Sequence, residues 1–322
     1  MPDEVETKTA SNHAGLTVVP GKLAYYQEEE GDYLATGLAA ATRAHGAAMP
    51  EVLAQVAVMV VQPDGIARRQ VDEILSFLDS HDFEPLFAVP FQLTVPMSRV
   101  LWRFQFTAIG PDSKAIGEGV YCHGQSLMLV LKDRRATTTR PGSSRLAGIK
   151  GSSDPAKRGP ESLRSRLGAL NRIFGCVHCA DEPLDILREL AILFTEPVLS
   201  GLHERLARTV RDGADDCRPE IDNVYAACGG HDLNSERALN RLLSDIEAAG
   251  AARDAVEHAR QLVDMVVTAT KPGATLDWFA FVDGLTALGI DPAGWDPLLV
   301  AADNIEYELP GAVKLIGSFS SA

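Results

Sequence analysis

Val58–Leu75 reads VMVVQPDGIARRQVDEIL, and the order of its parts is the first constraint on the fold. The apolar run that contains its start, Leu53–Val61, is too continuous for a strand with one wet face. It predicts a short, central, buried strand. Gln62-Pro63-Asp64-Gly65 ends that run with turn chemistry. From Arg68 to Asp79, Val71, Ile74, Leu75 and Leu78 fall on one face, which predicts an amphipathic helix.

Downstream, Phe83–Thr94 predicts a second strand, Ser98–Phe106 a short helix rich in aromatic residues, and Ser126–Leu131 (SLMLVL) a third strand. Residues 132–172 are punctuated by Gly, Pro and Ser and read as irregular. Cys176–Cys179 reads as a short strand, and Pro183–Phe194 (PLDILRELAILF) as a second strong amphipathic helix. Upstream, Gly31–His45 is an Ala-rich helix, and residues 1–20 read as a disordered or loosely attached arm. Beyond about residue 200, Asn234–Ala249, Ala252–Val267 and Leu276–Leu288 are helical in period and convincing strands are lacking. These elements predict an α+β fold, with helices on one face of an antiparallel sheet and an all-helical C-terminal extension. The expected divisions are an N-terminal arm and helix over 1–50, a core domain over 51–200 and a helical domain over 201–322.

Of the 322 residues, 46% are hydrophobic and 23% charged, as expected of a globular chain with a real core. A net charge of −14 argues against a surface that coats nucleic acid or an anionic membrane. No run approaches the roughly 18 apolar residues of a membrane span, and the acidic N-terminus lacks a signal-like basic and apolar pattern. A cytoplasmic protein is expected, and its five cysteines do not suggest a disulfide framework. The charge is uneven. Residues 132–172 hold eleven Lys and Arg against three Asp and Glu, a net +8 within a chain that is otherwise −22. A solvated loop is the plain explanation; a local site for a small polyanion is the sharper one and is favoured here.

The stretch Val58–Leu75 and a second one, Cys176–Phe194 (CVHCADEPLDILRELAILF), together resemble nucleoside diphosphate kinases. In that family the first strand runs into K-P-D-G and a helix with R and G-E-I. Its active histidine sits in N-x-x-H-G-S-D-S before a helix reading R-E-I-x-x-x-F. Here Pro63-Asp64-Gly65, Arg68 and Glu73-Ile74 match the first pattern, and His178, Asp181, Arg188-Glu189 and Phe194 match the second. Between them, the family's G-x-T-N-P and P-G-T-I-R are matched by Gly151-Ser152-Ser153-Asp154-Pro155 and Pro160-Glu161-Ser162-Leu163-Arg164. The resemblance covers roughly residues 54–198.

It implies a ferredoxin-like antiparallel sheet and phosphoryl transfer through a phosphohistidine at His178, with Glu189 on the following helix fixing the ring. Gln62, Arg145, Ser153 and Arg164 are implied as nucleotide and phosphate ligands. The substrates implied are a Mg²⁺-bound nucleoside triphosphate such as ATP and a small-molecule acceptor, a nucleoside diphosphate or a relative of one, in a homo-oligomer. No dedicated metal ligands are expected, because the phosphates carry the magnesium. Three departures matter. The family lysine is Gln62, the asparagine before the histidine is Gly175, and G-S-D-S has become Cys179-Ala180-Asp181-Glu182. Lys150, Arg68 and Arg69 are candidates to replace the lost charge. The alternative reading is a weakened nucleotide-binding or regulatory module whose helical tail binds a protein partner.

Other residues receive plainer readings. Strand alternation would point Cys176 and His178 to one face and Cys179 to the other, and the cysteines read as buried thiols rather than metal ligands. Arg188 reads as a helix-surface or subunit contact, Tyr25-Tyr26 with Glu28–Glu30 as a solvated interface, and Trp102, Trp278 and Trp295 as packing.

Overall fold

The computed structural model describes residues 15–252 and 255–316. The chain opens with α1 (Lys22–Gln27), α2 (Tyr33–His45) and α3 (Met49–Gln55), then enters β1 (Val56–Val61). The expected strand thus starts later than its apolar run, because Leu53–Gln55 end a helix. Next come α4 (Pro63–Ala67), α5 (Val71–Ser80), β2 (Phe83–Gln92), α6 (Val95–Leu101) and α7 (Pro111–Tyr121). β3 (Gln125–Asp133) leads to α8 (Gly142–Lys150), α9 (Leu163–Arg166), β4 (Val177–Cys179) and α10 (Pro183–Leu193).

The four strands order as β2-β3-β1-β4 with every neighbour antiparallel, the ferredoxin-like arrangement. In β1 and β3 the pleat sends alternate residues into two different cores. Ala57, Met59, Val61, Leu127, Leu129 and Leu131 face α5 and α8, packing with Ile74, Phe77 and Leu146. Val56, Val58, Met128 and Val130 face the opposite way, against Leu34 of α2 and Leu187 and Leu190 of α10. Helices therefore cover both faces of the sheet, not one. The cause is visible in β1, whose six residues are apolar on both sides and would expose a hydrophobic face if left uncovered.

The expected loose arm is docked where it is described. Leu16 is buried, its carbonyl accepts a bond from Leu184 N (2.9 Å), and Val18 N donates to the Glu182 carboxylate (2.6 Å). Residues 1–14 of that arm lie outside the described residues. The C-terminal part contains α11 (Val198–Asp212), α12 (Arg218–Ala227), α13 (Ser235–Ala252), α14 (Val256–Ala269), α15 (Trp278–Ala287) and α16 (Trp295–Asp303). Leu199, Leu202 and Leu206 of α11 join the core beneath α2, and Ile221 and Val224 of α12 join the core beneath the other face. A boundary at residue 200 would cut through these packed layers. The remaining helices form a third apolar cluster that reaches back to Ile116 and Val120 of α7. No helix among the described residues is long and apolar enough to cross a membrane.

Candidate active site

The Pro-Asp-Gly stretch acts as a clamp on the strand that carries the histidine. Pro63 opens α4 at a position where its missing N–H costs nothing. Asp64 is fully buried and accepts a bond from Cys176 N (2.8 Å), while Gln62 N donates to Cys176 O (2.9 Å). Gly65 sits so close that a Cβ there would lie 2.8 Å from Cys176 O, so no larger residue fits without moving backbone. Cys176 takes a left-handed backbone with φ of 62°, uncommon outside glycine, and the clamp holds it there. Because Cys176 lies before β4 begins, strand alternation does not apply to it. Cys176 and Cys179 both pack into the α5 side of the sheet, whereas His178 looks to the opposite side. Burial pushes both thiols up, that of Cys179 to about 12, so both stay protonated at neutral pH.

His178 pairs across the sheet with Val60. Its Nε2 lies 2.9 Å from Oε2 of Glu189, which is presented by α10 two turns after that helix begins. An ionised carboxylate can only accept here, so a neutral ring in this pair carries its proton on Nε2 and its lone pair on Nδ1. The ring forms part of the wall of a cavity of about 220 Å³. Trp102 stands edge-on to it with centroids 5.6 Å apart, and Trp102, Phe106 and Tyr121 form the aromatic side. The sequence reading of Trp102 as packing alone missed this; the aromatic cluster around Ser98–Phe106 was the available signal. Phe104 is instead buried next to Arg188.

Gln62, Ser153 and Arg164 line the same cavity. Arg164 is nearly buried and donates to the carbonyls of Gly151 (3.0 Å), Gly175 (3.3 Å) and Val177 (2.6 Å), tying the end of α8 to the stretch that leads into β4 and the histidine. Arg145 is not brought there. It pairs with buried Asp133 and lies over the Phe83 ring, on the α5 side of the sheet. Arg68 and Arg69 are also spent elsewhere, the first on Gly168 O and Cys176 Sγ, the second on Tyr225 O and Cys228 O. Asn171 caps its own turn through Ile173 N and Phe174 N.

The basic stretch as a whole is not a free polyanion surface. Arg134, Arg135 and Arg166 pair with carboxylates outside the cavity, and Arg158 donates to three backbone carbonyls. Of its eleven cations, Lys150, Arg164 and Arg172 line the cavity. Lys150 Nζ is 3.1 Å from Asp181 Oδ1. Burial opposes charge on both members of this pair. Their mutual attraction prevails, lowering the Asp181 carboxyl and raising the Lys150 ammonium.

The start of α10 adds a second charged cluster to the same wall. Glu182 and Asp185 form a reciprocal capping box at its start, and Lys22 bridges both at 2.6 and 2.8 Å. Asp185 also accepts from Tyr26 OH (2.7 Å), and burial pushes its carboxyl up to about 6 against the pull of Lys22. Arg188 is neither a surface nor a subunit contact. It is buried, bidentate to Glu29 (2.6 and 2.7 Å), bonded to Val100 O and Leu101 O, and 4.6 Å from the Tyr26 ring centroid. This corrects the solvated reading of Tyr26 and Glu29 as well, because a buried guanidinium needs a buried partner.

No family model and no curated protein matches the chain. Solved structures that it resembles include nucleoside diphosphate kinases. The enzyme from Aquifex aeolicus is 17% identical with a TM-score of 0.37, over 44% of this chain and 96% of its own. That from Pyrobaculum aerophilum is 17% identical with a TM-score of 0.33, over the same shares. A nucleoside diphosphate kinase family protein from Babesia bovis is 19% identical with a TM-score of 0.36, over 46% of this chain and 99% of its own. The similarity therefore spans less than half of this chain and nearly all of each of those.

Proposed function

We propose that this protein is a nucleoside diphosphate kinase-like phosphotransferase that carries the phosphoryl group on His178. The observation behind this reading is the His178–Glu189 pair at 2.9 Å, with the ring on the wall of a cavity that also holds Arg164, Ser153 and Gln62. In the first half-reaction the Nδ1 lone pair attacks the terminal phosphorus of a magnesium-bound nucleoside triphosphate. The N–P bond forms as the bond from that phosphorus to the bridging oxygen breaks, and the nucleoside diphosphate leaves with that electron pair. In the second half a phosphate oxygen of the acceptor, a nucleoside diphosphate or a related molecule, attacks the phosphohistidine. The N–P electrons return to Nδ1.

Glu189 keeps Nε2–H in place and offsets the positive charge that the ring develops. Arg164 fixes the loops and directs positive potential toward the transferred group. Ser153 offers a hydroxyl and Gln62 a neutral amide to phosphate oxygens. Magnesium enters with the nucleotide, bound mainly through its phosphates. A homo-oligomeric, cytoplasmic enzyme belongs to the same reading. The neutral Gln62 and the bare Gly175 favour the competing reading, a pocket that holds nucleotide without turnover.

Incubation with γ-labelled ATP and Mg²⁺ separates the two. Phosphotransfer predicts acid-labile, base-stable label on the wild-type chain and none on His178→Gln. Nucleotide binding without label on the wild type would leave the binding module in its place.

A further inference from the structure

Three of the cations on the cavity wall are held by carboxylates, while Arg164 bonds to carbonyls and Lys314 also lines the wall. Lys22 is engaged by Glu182 and Asp185, Lys150 by Asp181, and Arg172 by Glu308 (2.6 Å) and Asp154 (2.7 Å). These contacts differ in how firmly they are built. The Lys22 cluster is buried and belongs to the cap of α10, so it cannot give way without unseating that helix. Asp181 keeps about a third of its side chain exposed (35%), and Glu308 about half (51%). Glu308 comes from the segment after α16, which gives Tyr307, Glu308, Lys314 and Ile316 to the cavity wall. It is attached there by Leu309 N to Ala108 O (3.0 Å) and by Gly110 N to Tyr307 O (3.3 Å). Asp181 and Glu308 are the two carboxylates that an incoming anion can replace at least cost.

We infer that Lys150 and Arg172 are polyphosphate-binding cations of this cavity beside Arg164, with Asp181 and Glu308 as resident anions that a polyphosphate displaces from them. Two of the three positions from which the family resemblance expected cationic help are vacated: residue 62 is a neutral glutamine, and Arg145 is tied to Asp133 on the other side of the sheet; the third, Arg164, stays on the wall with its donors on three carbonyls. Two cations from other segments, the last residue of α8 and the loop before β4, stand on the cavity wall instead. A triphosphate that meets both exchanges each carboxylate contact for a charge-assisted bond of the same kind, so the resident anions lower affinity while they keep the cations positioned. This inference rests on the cavity being the nucleotide site.

Calorimetric titration of the full chain with inorganic tripolyphosphate tests it. Lys150→Gln and Arg172→Gln should each weaken binding by about tenfold to a hundredfold, whereas Lys150→Arg should largely preserve it. Asp181→Asn and Glu308→Gln should tighten it, by about tenfold for the first and about threefold for the second. Arg135→Gln, whose partner Asp82 lies on the surface, should leave it unchanged. Purely structural ion pairs would give no tightening in the two carboxylate variants, and that result, or no binding by the wild type, overturns the inference. Label on His178 at the wild-type rate in Lys150→Gln and Arg172→Gln overturns it while leaving phosphotransfer intact. The binding pattern above in a chain that never takes label has the opposite meaning: the cations are assigned and the phosphotransfer reading fails.

Discussion

The two walls of the cavity are built in different ways. The histidine wall is held through backbone: the Asp64 carboxylate and Gln62 N bond the Cys176 backbone, and β4 and the second turn of α10 present His178 and Glu189 with little freedom. The cationic wall is assembled from side chains of separate segments, Lys150 at the end of α8, Arg164 on α9, Arg172 in a loop, and Glu308 beyond α16. Geometry that resides in contiguous backbone survives sequence change, because few substitutions reach it. Charge that resides in long side chains can migrate between segments and leave the fold intact. Here His178 sits on the wall built by backbone, while on the cationic wall Arg164 stands at a position the motifs marked and Lys150 and Arg172 do not.

The largest effect should come from a residue that belongs to neither wall. Arg145→Gln leaves Asp133 buried without its cation, and a broken buried pair costs about 3–5 kcal/mol. Denaturant unfolding should show that loss, while folded molecules bind nucleotide as before. A tenfold loss of nucleotide affinity at unchanged stability would place Arg145 in the cationic wall after all. Within the histidine wall, Glu189→Gln keeps shape and removes charge. Single-turnover labelling of His178 should slow about a hundredfold, with nucleotide affinity little changed. Loss of affinity without loss of rate would make Glu189 a ligand-binding residue. The smallest effect should be Gly65→Ala, which presses a methyl group against Cys176 O and should cost about 1–3 kcal/mol. Thermal unfolding should fall accordingly and the labelling rate should fall with it. Unaltered labelling would mean that the clamp is not what positions the histidine.

The same contrast decides what the sequence revealed. β1, α5, β4 and α10 were legible because each is a contiguous run with a clear period, and His178 and Glu189 were legible because eleven residues and one turn of chain connect them. Asp64 and Gly65 were seen as a turn, but their purpose lies 112 residues away at Cys176. The helix α8 was hidden, since GSSRLAGIK contains Gly and Ser and buries little beyond Leu146 on its apolar side. The division at residue 200 failed because Leu199, Leu202 and Leu206 continue the core in helical register across it. Arg188 and Glu29 meet over 159 residues of sequence, a separation that no local pattern reports. The basic stretch misled in a specific way: its net charge was real, but most of its cations are consumed by carboxylates and carbonyls brought to them by folding.

The central claim is that His178 carries the phosphoryl group on the nitrogen that Glu189 does not hold. Phosphorus NMR of the chain after reaction with Mg-ATP, under denaturing alkaline conditions that preserve phosphohistidine, reads the bonded nitrogen directly. A single phosphohistidine resonance of the Nδ1 isomer, lost in His178→Gln, is the expected outcome. An Nε2 isomer, or phosphate on any residue other than His178, would contradict it.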